Sequence, residues 1–142
     1  MSVLFMYLIV VGAGATASSL VSIAIKQGYR VAVIEKDAEK AQAILQKHDV
    51  QVLQADIAQG GILEEANADR ADVLVAMTSD DSTNLMAIFL GKEHGIKNLV
   101  SMLNNSQHQT MFESLGARVV VDPEVIIAQQ IFSFIDQSDA ET

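Results

Sequence analysis

The sequence predicts an α/β fold in three layers: a mainly parallel six-stranded sheet with helices on both faces. Two observations predict it. Short runs rich in valine, isoleucine and leucine alternate with longer amphipathic runs, as crossover helices between parallel strands require. The first apolar run also passes directly into a glycine-rich turn followed by a run of helical composition.

The chain has 142 residues, half of them apolar, which suits one domain with a continuous core. It contains no cysteine, so disulfides, thiolate metal sites and a cysteine nucleophile are excluded, and a cytoplasmic protein is expected. A net charge of -9 argues against nucleic acid, whose partners carry a surplus of lysine and arginine on one face. Any phosphate held here must rely mainly on backbone groups. The apolar opening, residues 3–11, lacks a basic leader and a small-residue cleavage site and is too short to span a bilayer, so no direct membrane insertion is expected.

Strands are expected over residues 5–11, 30–35, 50–54, 73–77, 98–102 and 118–121. Between the second and third, Asp37 is a capping candidate before Ala41, Ile44 and Leu45 at helical spacing. Gly28, Gly95 and Gly116 each stand just before a strand, where a left-handed residue closes the preceding helix. Pro123 opens the last helix. In that helix Ile127, Ile131 and Phe134 share one face, and Ala128, Phe132 and Ile135 share the adjoining one. One stripe laid on the domain's own sheet cannot bury both faces, so the second is expected to pack on a twin subunit. The folded domain is placed at residues 1–135, and the acidic end, 136–142, is expected to be frayed or disordered.

After the first strand comes Gly12-Ala13-Gly14-Ala15-Thr16-Ala17, a GxGxxA form of the dinucleotide fingerprint. Gly12 permits the tight turn, Gly14 clears the approach of a pyrophosphate, and Ala17 lets helix and strand pack closely. The phosphates would sit on free amides at the positive end of the helix. The second strand ends at Glu35, about 20 residues beyond the glycines, where an acid accepts hydrogen bonds from an adenine-side ribose. This combination makes the expected fold Rossmann-type. A carboxylate there repels a 2'-phosphate, which favours NAD, NADH or AMP, ADP and ATP over NADP(H), although Lys36 stands beside it. Asp56 and Ile57, after the third strand, could flank the adenine ring, with a turn aspartate the alternative for Asp56. Thr78, Ser79, Asp80 and Asn84 place hydroxyl, carboxylate and amide groups near the glycine loop, and helix capping by Ser79 or Asp80 accounts for part of that pattern. His48, His94 and His108 lack metal-site spacing and read as surface or capping residues.

The ordered set of Val11 to Gly14, Val33 to Asp37, Ala55-Asp56, Ala76 to Asp81 with Asn84, and Gly116-Ala117 leading to Pro123-Glu124 resembles the N-terminal domain of the family that regulates conductance of potassium, called RCK, KTN or TrkA-N. The resemblance covers Tyr7 to about Ile131 and does not extend to the smaller ligand-binding module that follows in that family. It implies a regulatory domain that binds NAD(H), ATP, ADP or AMP, forms a homodimer or larger ring, and controls a membrane potassium channel or transporter from its cytoplasmic side. It also implies ligand contacts at Gly12, Gly14, Glu35, Asp56 and Thr78. Some members carry an arginine in the glycine loop and many carry one in the fifth strand; this chain has Ala15 and Met102. Without those cations NAD(H) or AMP fits better than a triphosphate. The competing reading is the cofactor half of an NAD-dependent dehydrogenase, against which stands the lack of a placed proton-exchanging side chain.

Overall fold

A computed structural model describes residues 5–140. Strands β1 (Tyr7–Val11), β2 (Arg30–Glu35), β3 (Gln51–Gln54), β4 (Val73–Ala76), β5 (Asn98–Leu103) and β6 (Arg118–Val121) form one sheet in the order β3-β2-β1-β4-β5-β6. Every pairing is parallel. The chain moves outward from β1 through β2 to β3, then returns to β4 on the other side of β1. That reversal opens a crevice at the carboxyl ends of β1 and β4.

β1 shows why the strands read as unbroken apolar runs. Leu8 and Val10 point to one face and Ile9 and Val11 to the other, and all four are buried. On the first face they meet Ala17, Val21 and Ala24 of α1 (Ala15–Lys26) and Ile44 of α2 (Ala38–Lys47). On the second they meet α3 (Ile62–Glu65), Ala87 and Ile88 of α4 (Asp81–Glu93), and Phe112 of α5 (Gln109–Ser114). Burying a side chain such as Ile9 or Phe112 contributes about 1.5–3 kcal/mol, so these two layers hold the strand ends in place.

Local signals act as the sequence suggests. Asp37 caps α2 by accepting from the Glu39 and Lys40 amides. Gly28, Gly95 and Gly116 all take positive φ. The short α3 and α5 were not expected; each is too brief to show a helical repeat.

The last helix departs from expectation. α6 (Pro123–Ala140) continues through residues 136–140 of the segment expected to fray, while 1–4 and 141–142 lie outside the described residues. Neither of its apolar faces lies on the domain's sheet: residues 124–137 are all exposed, with Ile127 at 58% and Phe132 at 63%. α3, α4 and α5 cover one face of the sheet, while on the opposite face Val120 of β6 stays exposed.

Candidate nucleotide-binding cleft

The pairing of Val11 with Ile34 and Ala76 sets the glycine loop between the ends of β2 and β4. The Gly12 amide donates to the Ile34 carbonyl at 2.9 Å, and the Met77 amide donates to the Val11 carbonyl at 2.8 Å. The two glycines do different work. Gly12 has φ +113, and a β-carbon there would lie 3.0 Å from the Met77 carbonyl carbon and oxygen, so backbone strain and close packing both demand glycine. Gly14 has an ordinary φ of -75, and a β-carbon would meet nothing within 4 Å. Its missing side chain leaves open space in front of α1. That helix starts with no side-chain cap, unlike α2 and α4, and Ala15, Thr16 and Ala17 of its first turn line the cleft. Ala17 is buried against Val10 and Val33, the close packing its position requires.

Glu35 ties this loop to β2. Its Oε1 accepts from the Ala13 amide at 2.8 Å and its Oε2 from the Asp37 amide at 2.9 Å. Each carboxylate oxygen has a second lone pair, so two protein amides orient the group and leave acceptor capacity for ribose hydroxyls. Asp56 is a turn aspartate, its Oδ1 accepting from the Ala58 amide at 2.9 Å, and it also lines the cleft beside buried Ile57.

The β4 end is braced from below. Asn84 is fully buried and accepts from the Thr78 amide at 3.0 Å and hydroxyl at 2.7 Å, while its nitrogen donates to the Thr78 and Met102 carbonyls. Its amide is thus consumed in holding β4 to β5. Asn84 supports the cleft from behind and does not line it, contrary to the contact expected from the sequence. Asp80, not Ser79, caps α4, accepting from the Ser82 and Thr83 amides. The Thr83 hydroxyl bond, the backbone bonds and nearby Lys36 outweigh desolvation and hold its carboxyl below the usual carboxylate range.

The cleft, about 280 Å³, brings together Gly12, Ala13, Gly14, Ala15, Thr16, Glu35, Lys36, Asp56, Ile57, Thr78, Ser79 and Asp80, every expected site residue except Asn84. It adds Lys40, Thr83, Met102 and Asn104. Lys40 lies one turn into α2, on the cleft side of the Asp37 cap, and a lysine three residues after a cap was a readable signal for it. The histidines stand apart: His48 pairs with Ser18, His94 with Glu64 and His108 with Asp81. Among the described residues no group of three or more histidines and acids could hold a metal ion.

An uncapped helix start, a glycine that leaves space before it and an amide-anchored acid at the end of β2 form one continuous surface. Residues 8–123 match the model of the TrkA-N domain. The chain belongs to the TrkA-N domain family. This TrkA-N domain is 30% identical over 119 residues to the Trk system potassium uptake protein TrkA homolog of Methanothermobacter thermautotrophicus, covering 84% of this chain and 55% of that protein. It is 25% identical over 133 residues to the Trk system potassium uptake protein TrkA of Vibrio alginolyticus, covering 93% of this chain and 29% of the relative. The chain therefore spans about half the length of the first and under a third of the second. Among solved structures, the TrkA-N domain of the inner membrane protein YbaL from Escherichia coli superposes with a TM-score of 0.80 at 16% identity, covering 92% of this chain and 97% of that one. The NAD(P)-binding domain of an exopolyphosphatase-related protein from Archaeoglobus fulgidus gives 0.78 at 20%, covering 94% and 98%. The GsuK channel bound to NAD gives 0.71 at 13%, covering 82% and 21%. At these identities the likeness shows the fold alone. Among the described residues no helix is long and apolar enough to cross a membrane.

Proposed function

We propose that this TrkA-N domain binds NAD(H) or an adenine nucleotide in the cleft and thereby controls a potassium channel or transporter, on whose cytoplasmic side it works as a homodimer or larger ring. The observation that carries the reading is the uncapped start of α1 behind Gly14, set beside an acid held by the Ala13 and Asp37 amides. Phosphates fit the first and a ribose diol fits the second. Gly12, Ala13, Gly14, Ala15 and Thr16 serve the phosphates, Glu35 and Lys36 the ribose, Asp56 and Ile57 the adenine, and Thr78, Ser79 and Asp80 the far side. The potassium pathway enters from the relatives, which are named as potassium uptake proteins.

Lys36 and Lys40 stand at the β2 end of the cleft, whereas Ala15 and Met102 line it where an arginine would meet further phosphates. NAD(H) or AMP therefore suits it better than ATP. A dehydrogenase fragment would use the same cleft, which holds Lys36 and Lys40 but no histidine or tyrosine; the relatives, named as potassium uptake proteins, favour a binding domain over an enzyme. Calorimetry of the purified chain with NAD, NADH, AMP, ADP and ATP tests the reading. Micromolar binding of at least one is expected, and no binding of any would overturn it.

A further inference from the structure

The Asp81 carboxylate gathers donors from the loop that follows β5. Oδ1 accepts from the Asn104 amide at 2.8 Å and from Asn104 Nδ2 at 2.9 Å. Oδ2 accepts from the Asn105 amide at 3.0 Å and lies 2.8 Å from His108 Nδ1. The Asp81 side chain itself is only 9% exposed, while its partners Asn104 and Asn105 stand at the surface. Because an ionised carboxylate only accepts, it dictates which way the Asn104 amide faces: the nitrogen turns to Asp81 and also reaches the Thr78 carbonyl at 3.4 Å. Both N–H bonds are then engaged within the protein. Oδ1 of Asn104 is left as a hydrogen-bond acceptor on a residue that lines the cleft.

Strand order places this wall on the opposite side of the glycine loop from Glu35 and Asp56. A mononucleotide held by Glu35 and the loop fills the β2–β3 side, and only a group beyond its phosphate reaches β5. There the lining offers two acceptors, the Asn104 oxygen and the Asp80 carboxylate, the latter with Lys36 nearby. Resting on the reading of the cleft as a nucleotide site, we propose that Asp81 is a positioning residue. By orienting Asn104 it offers an acceptor to the second half of a dinucleotide, selecting ligands that carry an uncharged donor there, a ribose hydroxyl or carboxamide, over mononucleotides.

Calorimetry with NAD and with AMP on the wild type, Asn104→Ala, Asp81→Asn and the double variant tests this. Losing one oriented acceptor should lower the ratio of NAD to AMP affinity about tenfold in each single variant. The double variant should fall no further, because Asp81 acts through Asn104. Asn104 is exposed, so its truncation answers the question even where Asp81→Asn does not fold. An unchanged ratio in Asn104→Ala, or a double variant showing the product of the two single losses, overturns the proposal. A wild type that binds AMP and NAD equally overturns it while leaving the nucleotide cleft standing, and a wild type that binds neither overturns both.

Discussion

Glu35, at the end of β2, accepts a 2.8 Å hydrogen bond from the backbone amide of Ala13, in the middle of the glycine loop. One side chain thus connects the two parts of the cleft that the proposed nucleotide would bridge: the glycine loop and the end of β2. Its second oxygen fixes Asp37, which in turn caps α2 and carries Lys40 toward the cleft.

Replacing Glu35 should therefore do two things. Glu35→Ala is expected to weaken NAD or AMP binding by about 1–3 kcal/mol through loss of a charge-assisted bond to ribose. It should also lower thermal stability, because two loop amides lose their acceptor. The wild-type carboxylate should discriminate against a 2'-phosphate, so NADH binds more tightly than NADPH. Calorimetry showing a preference for NADPH would contradict the role given to Glu35.

The two loop glycines give opposite outcomes. Gly14→Asp meets no steric obstacle, so the protein should stay folded, while the new carboxylate occupies and repels the phosphate position and abolishes binding. Gly12→Ala forces a left-handed φ on a side chain and drives its β-carbon into Met77, costing about 1–3 kcal/mol of stability. Thermal melts paired with nucleotide titrations check both. Equal loss of stability at the two positions would show that Gly14 is a folding glycine after all.

Asp81 makes an acid-sensitive contribution. Burial alone would raise its pKa, but hydrogen bonds from Asn104, His108 and Asn105 outweigh burial and lower it. With a depressed folded value, the unfolded chain binds the proton more readily. The stabilisation is present above the unfolded carboxyl's pKa of about 3.9 and fades as pH falls through the folded value. Urea unfolding from neutral pH to pH ~3 should show Asp81→Asn less stable than wild type at neutrality, with the gap closing in acid. A gap that stays constant would remove Asp81 from the acid dependence.

Most of the sheet was legible in the sequence because strands buried on both faces, like β1 with Leu8 to Val11, read as continuous apolar runs. Strand ends agree within a residue or two, and the loop after each strand supplies the cleft. What stayed hidden depends on contacts between distant parts of the chain. Asn84 looked like a ligand contact because polar residues after a strand so often are; only the approach of Thr78 and Met102 turns it inward. Asn104 enters the cleft because Asp81, 23 residues earlier, holds its loop, and no local pattern records that pairing. α6 could be read as a helix with two apolar faces, but its own spacing does not record that neither of them lies on the sheet.

That separation sharpens the expectation of a dimer. A single domain leaves Val125, Ile127, Ile131, Phe132 and Ile135 exposed along one helix, a contiguous apolar strip of the kind that marks an interface. The stripe of Ala128, Phe132 and Ile135 is the expected seam, since Ala128 lets two helices approach closely around the bulk of Phe132. A second copy offers the same strip, and a two-fold arrangement buries each helix against its twin while bringing two nucleotide clefts into one assembly able to couple them. Introducing charge at both Phe132→Asp and Ile135→Asp would place four carboxylates in that seam, where burial and mutual repulsion oppose association. Both positions are exposed in the single domain, so the fold itself should tolerate the change. Light scattering at micromolar concentration is expected to give a dimer for the wild type and a monomer for the double variant, with circular dichroism unchanged. A monomeric wild type, or a dimer indifferent to both substitutions, would remove α6 from the interface and leave its apolar strip to be covered by something other than a second copy.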